Sequence, residues 1–302
     1  MAATESYIFG IVANWKQKDA VDGVSSCLEA LRKRGQRYVI EERTAVWGNL
    51  KGDRVAIHEM GDACDLVISF GGDGTLLSVG RLVAANEVPV LAVNLGGLGF
   101  LSEMDISLME AAVDAILTDR FLVESRMLLA IRLDRASGEV ERDILAVNDV
   151  VMGPKAISRI VTVNAYIHRE RLFTYRGDGV IAATPTGSTA YSLSAGGPIV
   201  DPRVDLLLLT PICAHSLTVR PLVIPPNLEV GIDVATRGKE EVVMTVDGQT
   251  AYALGEGDRV YVTRAKKRLR LIRLEEKDFY KLLQEKLGWG IHQYVPAPRG
   301  EG

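Results

Sequence analysis

Near residue 125 the spacing of apolar residues changes period, and this change restricts the possible folds more than any other feature of the chain. Before it, short runs that are apolar throughout alternate with segments of helical spacing. YIFGIVA (7–13), RYVI (37–40), DLVISF (65–70) and VPVLAVN (88–94) have the length and β-branched content of buried strands. Between them, Val21, Val24, Cys27, Leu28 and Leu31 fall on one helical face, and Leu76, Val79, Leu82 and Val83 on another. Thr75 is placed to cap the second of these helices. Ser107 with Glu110 reads as a capping box before LMEAAVDAIL. Strands without polar alternation, interleaved with helices, predict a parallel sheet covered on both faces.

After the change, the segments 126–152, 159–176 and 228–254 alternate apolar and polar residues, with a hairpin signal at Ala136-Ser137-Gly138 and a polar break at Arg169-Glu170. They predict closely spaced, half-buried antiparallel strands and therefore a sandwich-like all-β domain. DFYKLLQEKL (278–287) returns to helical spacing. The chain of 302 residues suits about two domains. The expected division is an α/β domain over 1–125, a β-rich domain over 126–274, and a C-terminal helix and tail over 275–302.

Composition excludes several classes. With 35 basic and 39 acidic residues the net charge is −4, so a broad surface for nucleic acid or anionic membrane is not expected. No apolar run approaches the ~18 residues of a membrane span, and the N-terminus lacks a basic signal region. Cys27, Cys64 and Cys213 are odd in number and widely spaced, which argues against a disulfide framework or zinc site. His58, His168, His215 and His292 show no metal-ligand spacing. A cytoplasmic location follows as the simplest expectation. Glycine is over-represented, with 29 residues against a usual ~7%, and the glycines cluster, as they do where backbone closely approaches a ligand.

The chemistry-bearing motifs lie in those clusters. FGGDGTLL (70–77) joins a strand to a helix, the place where open α/β sheets bind ligands. Gly71, Gly72, Gly74 and Thr75 offer backbone N–H groups to phosphate oxygens at a helix N-terminus. Asp73 is anomalous there, because a carboxylate repels phosphate unless a metal or a substrate proton is involved. The plain alternative is a tight turn whose Asp satisfies local amides. The segment is neither GxxxxGK[ST] nor GxGxxG. Asn148-Asp149 ends a strand-like run and reads either as a diol-binding pair or as a strand end. TPTGSTAYSLSAGGPIVDP (184–202) is rich in hydroxyls and glycine and too long to order without a purpose. Val246-Asp247-Gly248-Gln249 reads as a hairpin turn.

Taken together, FGGDGT, Asn148-Asp149 and GDG followed by TPTGSTAYSLSAGGPIVDP resemble the NAD kinase family in type and order, as do LGFL near residue 100 and LGW at 287–289. The resemblance spans roughly 65–290. It implies transfer of the terminal phosphoryl of ATP, with a divalent cation such as Mg²⁺, to the adenosine-ribose 2′-hydroxyl of NAD. It also implies an N-terminal α/β domain, a C-terminal β-sandwich, a last segment folding back on the first domain, and a homodimer or homotetramer. By resemblance Asp73 is the base or the group that orients the 2′-hydroxyl, with Gly74 beside it. Asn148 and Asp149 hold ribose hydroxyls. Arg176 and Asp178 lie toward the nicotinamide end, and Arg159 occupies a polar position of variable type. Thr189, Ala190, Tyr191, Ser192, Leu193 and Ser194 line the adenine and ribose pockets, and Gln249 makes a polar contact. The family more often has Asn-Glu where this chain has Asn148-Asp149. No protein metal cage is expected, the cation travelling with ATP. Two other classes fit parts of the pattern: a lipid or small-alcohol kinase sharing the GGDGT turn, and a non-catalytic NAD(H)-binding sensor.

Overall fold

The computed structural model of the chain describes residues 7–17, 19–96, 99–155, 160–235, 241–276 and 278–289. The first part contributes strands β1 (Ile8–Ala13), β2 (Arg37–Glu41), β3 (Asp53–Val55), β4 (Leu66–Phe70), β5 (Val90–Asn94) and the short β6 (Met104–Asp105). The strands pair in parallel in the order β5-β4-β1-β2-β3. The helices are α1 (Ala20–Lys33), α2 (Glu42–Trp47), α3 (Met60–Ala63), α4 (Asp73–Val83) and α5 (Met109–Leu117). Alternation along each strand divides its side chains between two cores. Phe9, Ile11, Ile68, Phe70, Leu91 and Val93 pack with α1 and α5 on one face. Val12, Val67, Val90 and Ala92 pack with Leu76, Val79 and Val83 of α4 on the other. Burial on both faces is why these strands read as unbroken apolar runs.

Three local expectations are corrected. Helix α4 begins at Asp73 with Gly72 as its N-cap, three residues before the expected cap at Thr75. The glycine pair completes the turn early, and Thr75 N–H already donates to the Gly72 carbonyl. The capping box at Ser107 and Glu110 does not form either. Asp105 caps instead, accepting the Ser107 N–H at 3.0 Å ahead of a single 3₁₀ turn. Leu82, assigned to the buried face of α4, is 39% exposed.

The second part contributes β7 (Leu122–Asp134), β8 (Val140–Ala146), β9 (Asp149–Pro154), β10 (Val161–Ile167), β11 (Glu170–Gly177), β12 (Gly179–Ala183), β13 (Leu207–Ile212), β14 (Leu222–Ile224), β15 (Val230–Ala235), β16 (Val242–Val246), β17 (Thr250–Leu254) and β18 (Arg259–Arg273). A six-stranded antiparallel sheet runs β14-β13-β12-β9-β16-β17. It packs face to face on β7, β10, β15 and β18 through Met127, Leu129, Ile131, Met152, Val163, Val180, Ile232, Met244 and Val262, all buried. This is the expected sandwich. The turn at Ser137-Gly138 falls where the sequence put it, and the break comes at His168-Arg169, one residue before the expected Arg169-Glu170, with φ of 51° and 67°.

Strand β18 belongs to both parts. Its first half pairs with β15 and β7 in the sandwich, while Leu271 pairs in parallel with Val90 of β5. One twelve-stranded sheet therefore crosses the whole molecule. Two shorter helices follow in the second part, α6 (Tyr191–Ser194) and α7 (Phe279–Leu287). α7 has Asp278 as its N-cap, accepting from Tyr280 and Lys281 N–H, and buries Leu283. Phe279 and Leu282 help wall a cavity of about 40 Å³ with Phe100, Leu101, Pro185 and Thr186.

Candidate active site

Strands β1 and β4 are neighbours, yet the chain leaves β1 towards β2 and β3 on one side and returns to β4 and β5 on the other. The topological switch point thus falls between them, and loops at the carboxyl ends of such strands form the ligand crevice of open α/β sheets. Those loops are 14–17 and 71–75, tied together by the bond from Asn14 N–H to the Phe70 carbonyl. Around them opens a cleft of about 650 Å³, lined by Asn14, Trp15, Lys16, Gln17, Glu41, Arg43, Gly72, Gly74, Thr75, Ser78, Leu82 and Gln249. Leu82 is a wall of this cleft, which explains its exposure.

Asp73 occupies the first helical position of α4, where the helix macrodipole favours an anion. Its Oδ2 accepts the Phe100 N–H at 2.9 Å and its Oδ1 the Leu101 N–H at 3.3 Å. The plain turn reading is met in part: Asp73 does satisfy amides, but those of a loop some 27 residues away. That loop is held in turn by Arg273, whose guanidinium donates to the Leu101 carbonyl at 3.1 Å and to Glu103 at 3.0 Å. Arg273 also pairs with Glu124 at 2.6 Å and is itself buried. Buried charges survive only when paired and hydrogen-bonded in this way. Gly99 has no room for a side chain, because a methyl group there would overlap the Asp73 carboxylate.

Asn148 lies between β8 and β9 and Asp149 opens β9, at the crossing from one sheet to the other, so the expected strand end is a sheet-to-sheet junction. The junction is organised by Asp247 in the β16–β17 turn. One Asp247 oxygen accepts the N–H of Asn148 at 2.7 Å and of Asp149 at 3.1 Å, and the other accepts that of Val147 at 3.0 Å. Arg81 of α4 neutralises Asp247 at 3.1 Å and donates to Gln249 at 2.8 Å. Gln249 closes the circuit by donating to the Gly74 carbonyl at 2.6 Å. A single hydrogen-bonded chain therefore joins the 71–75 turn to the Asn148-Asp149 pair. Two polar groups at the junction have no partner among the described residues: the buried Asn148 Oδ1 and the carboxyl of Asp149, which is 4% exposed. Burial, and secondarily the charge of Asp247, raise the Asp149 carboxyl to about 7.

The 184–197 segment packs against this junction. Thr184 N–H donates to the Asn148 carbonyl and its hydroxyl to the Val147 carbonyl at 2.6 Å. Gly187 sits so close to Asn148 backbone that a methyl group would overlap its carbonyl. Within the segment, Thr189, Ala190 and Leu193 are half-buried, and Tyr191 and Ser194 are exposed. The hydroxyl of Ser192 is internal and pairs with Thr210 at 2.9 Å. Ser188 likewise bonds Val200 through its own hydroxyl. Arg176 and Asp178 are not brought to the junction. They lie beyond the far end of β12, whose Ala183 pairs with Asp149 while Gly179 pairs with Ile212. Five residues of strand separate the ends by about 17 Å. Arg159 lies outside the described residues.

Sequence reading missed two residues here. Asp247 was taken as part of a plain hairpin turn, which it is, with φ of 49° followed by 63° at Gly248. An Asp that turns into the interior carries no sequence mark that separates it from one facing water. Arg273, amid the basic run of β18, carries none either.

A glycine-rich strand-to-helix turn at the switch point of an α/β sheet, closed against a β-sandwich, is an arrangement typical of nucleotide-binding proteins. Comparisons with known proteins narrow the class. The profile of the ATP-NAD kinase N-terminal domain matches residues 9–121, and that of the ATP-NAD kinase C-terminal domain matches residues 147–274. An NAD kinase of Moorella thermoacetica is 41% identical over 93% of this chain and 89% of its own length. One of Geotalea daltonii is 43% identical over 76% and 80%. A crystal structure of yeast NADH kinase complexed with NADH superposes with a TM-score of 0.88 at 26% identity, covering 98% of this chain and 91% of that one. An Archaeoglobus fulgidus NAD kinase solved with ATP shares the fold, with a TM-score of 0.72 at 19% identity over 93% and 98%. The chain belongs to the NAD kinase family. The lipid-kinase and sensor alternatives find no support in these matches.

Proposed function

We propose that this chain is an NAD kinase, moving the terminal phosphoryl of ATP to the 2′-hydroxyl of the adenosine ribose of NAD to give NADP. The observation that carries the reading is the placement of Asp73: a carboxylate fixed by two amides, between Gly72 and Gly74 of the 650 Å³ cleft, in a turn linked through Gln249, Arg81 and Asp247 to Asn148. ATP occupies the cleft, its phosphates against the amides of Gly72 and Gly74 at the N-terminus of α4; the Gly71 and Thr75 amides, expected to join them, already donate to the Val93 and Gly72 carbonyls. NAD lies along the junction, its ribose hydroxyls donating to the free oxygens of Asn148 and Asp149. Thr189, Ala190, Tyr191, Ser192, Leu193 and Ser194 flank its adenosine, with Ser192 acting through its backbone and its packing on Thr210.

Phosphoryl transfer depends on positioning and charge neutralisation more than on covalent chemistry. Asp73 accepts the 2′-hydroxyl proton late in the transfer, and the amides that hold it keep its remaining lone pairs aimed at the acceptor. The carboxylates near the cleft suit a cation carried by ATP rather than a protein cage: both oxygens of Glu41 already accept backbone N–H groups, and Asp73 is similarly engaged. A divalent cation such as Mg²⁺, carried on the phosphates of ATP, would supply charge neutralisation there. Arg176 and Asp178, stranded about 17 Å from the junction in their own chain, contact NAD from a second copy, so the working form is a homodimer or homotetramer. Three free cysteines, two of them buried, accord with a cytoplasmic location.

The test is incubation of the protein with NAD, ATP and Mg²⁺ and measurement of NADP, with and without a chelator. NADP that forms only with metal present supports the reading, and no NADP under any of these conditions sinks it.

A further inference from the structure

The cleft contains one feature that phosphate binding does not use. Trp15 is 45% exposed in the turn after β1, and an indole so placed offers an open ring face with a polar N–H to a ligand. The turn is held firmly: Lys16 N–H donates to the Asn14 side chain at 3.2 Å and Gln17 N–H to the Asn14 carbonyl at 3.0 Å. The Asn14–Phe70 bond fixes it beside the 71–75 turn. Trp15, Lys16, Gln17 and Arg43 share the cleft wall. The Lys16 ammonium stands 5.4 Å from the centre of the indole, and the Gln17 side-chain oxygen is buried without a hydrogen-bond partner among the described residues.

We infer that Trp15 is the stacking platform for the adenine of the phosphoryl donor, with Gln17 accepting from the exocyclic amine and Lys16 and Arg43 turned to the triphosphate. The inference rests on the reading of the cleft as the ATP site and adds to it the residue that makes the donor a nucleotide rather than a bare phosphate chain. Every nucleobase offers a π-face, and base–aromatic stacking is strong enough to set affinity. A tryptophan is the best partner for a cation as well, so the same ring holds Lys16 in place until the phosphates arrive. The switch-point position supports this. The two loops of the crevice divide the ligand between them, the glycine turn taking phosphate and the 14–17 turn taking the base.

The experiment compares wild-type, Trp15→Ala and Trp15→Phe enzymes. In Trp15→Ala the KM for ATP should rise about 5–150-fold, whereas the KM for NAD and the inhibition constant of inorganic tripolyphosphate should move by less than about twofold. Trp15→Phe, which keeps a ring, should rise less. Binding is read independently by fluorescence: ATP should quench the indole emission of the wild type, and Trp15→Phe should abolish the quench. An unchanged KM for ATP in a folded Trp15→Ala enzyme overturns the platform, as does a rise confined to the KM for NAD, which would put the indole on the acceptor. A wild type that makes no NADP while its Trp15 emission still responds to ATP would refute the assigned reaction and leave the platform standing.

Discussion

Asp247 holds Asp149 by its backbone and opposes it by its charge. The same carboxylate accepts the Asp149 N–H at 3.1 Å and, being buried nearby, disfavours ionisation of the Asp149 side chain. The turn that shapes the Asn148-Asp149 junction therefore also tunes its charge.

Asp149 makes the protein sensitive to pH near neutrality. Its carboxyl is raised to about 7 in the folded chain, first by burial and then by Asp247, whereas in an unfolded chain it titrates near 3.9. Between about pH 4 and 7 the folded state therefore binds more protons than the unfolded one, so this group's effect on stability becomes less favourable as pH rises. Asp149→Asn should raise the Tm more at pH 8 than at pH 5. The ionised form is the stronger acceptor for ribose hydroxyls, so the KM for NAD should fall as pH increases from 6 to 8 in the wild type and stay flat in Asp149→Asn. A wild-type KM profile in the variant would remove Asp149 from the ribose.

Asp73→Asn should lower kcat by about 10²–10⁴-fold, the range of a lost general base, with little change in the KM for NAD. The substitution also turns one acceptor oxygen into a donor facing the Phe100 or Leu101 N–H. The unpaired amide should cost about 1–3 kcal/mol of stability, visible as a drop in Tm. A normal kcat would exclude Asp73 from the chemical step.

Gly99→Ala separates positioning from chemistry. The added methyl overlaps the Asp73 carboxylate and must push it or the loop aside, yet it leaves the carboxyl group intact. Misplacement by about 1 Å can cost on the order of 10²-fold in rate. The expected result is a reduced kcat with near-normal KM values, and wild-type kinetics would show that the loop has slack.

Tyr191 is 47% exposed at the start of α6, and the proposed function places it against the adenosine of NAD. Tyr191→Ala should weaken NAD binding by roughly 1–3 kcal/mol and leave ATP binding nearly intact. Calorimetry with each nucleotide decides, and unchanged NAD affinity in a folded variant would make the segment structural.

The sequence revealed what depends on period and on rare local chemistry. Unbroken apolar runs announced doubly covered strands such as β1 and β4, alternation announced the sandwich, and Gly71-Gly72-Asp73-Gly74 announced the strand-to-helix turn at the switch point. It was silent wherever the decisive partner lies far away in the chain. The Leu271–Val90 pairing and the Arg81–Asp247 ion pair join residues that no local pattern relates. The start of α4 was misjudged for a related reason. Thr75 is the better capping residue by propensity, but the packing of Asp73 on the 100–101 loop fixes the turn earlier. Ser192 shows the limit of reading composition as function, since its hydroxyl faces Thr210 inside the fold.

Strand β18 runs from the sandwich into the parallel sheet, with its register against β7 shifting between Arg264 and Arg268. A backbone shared in this way leaves no swivel between the two halves, so they cannot open and shut like jaws around a substrate. Access and release fall to the loops at residues 14–17, 99–101 and 184–197. Melting one half removes strand partners from the other, so the molecule should lose its structure in one cooperative step.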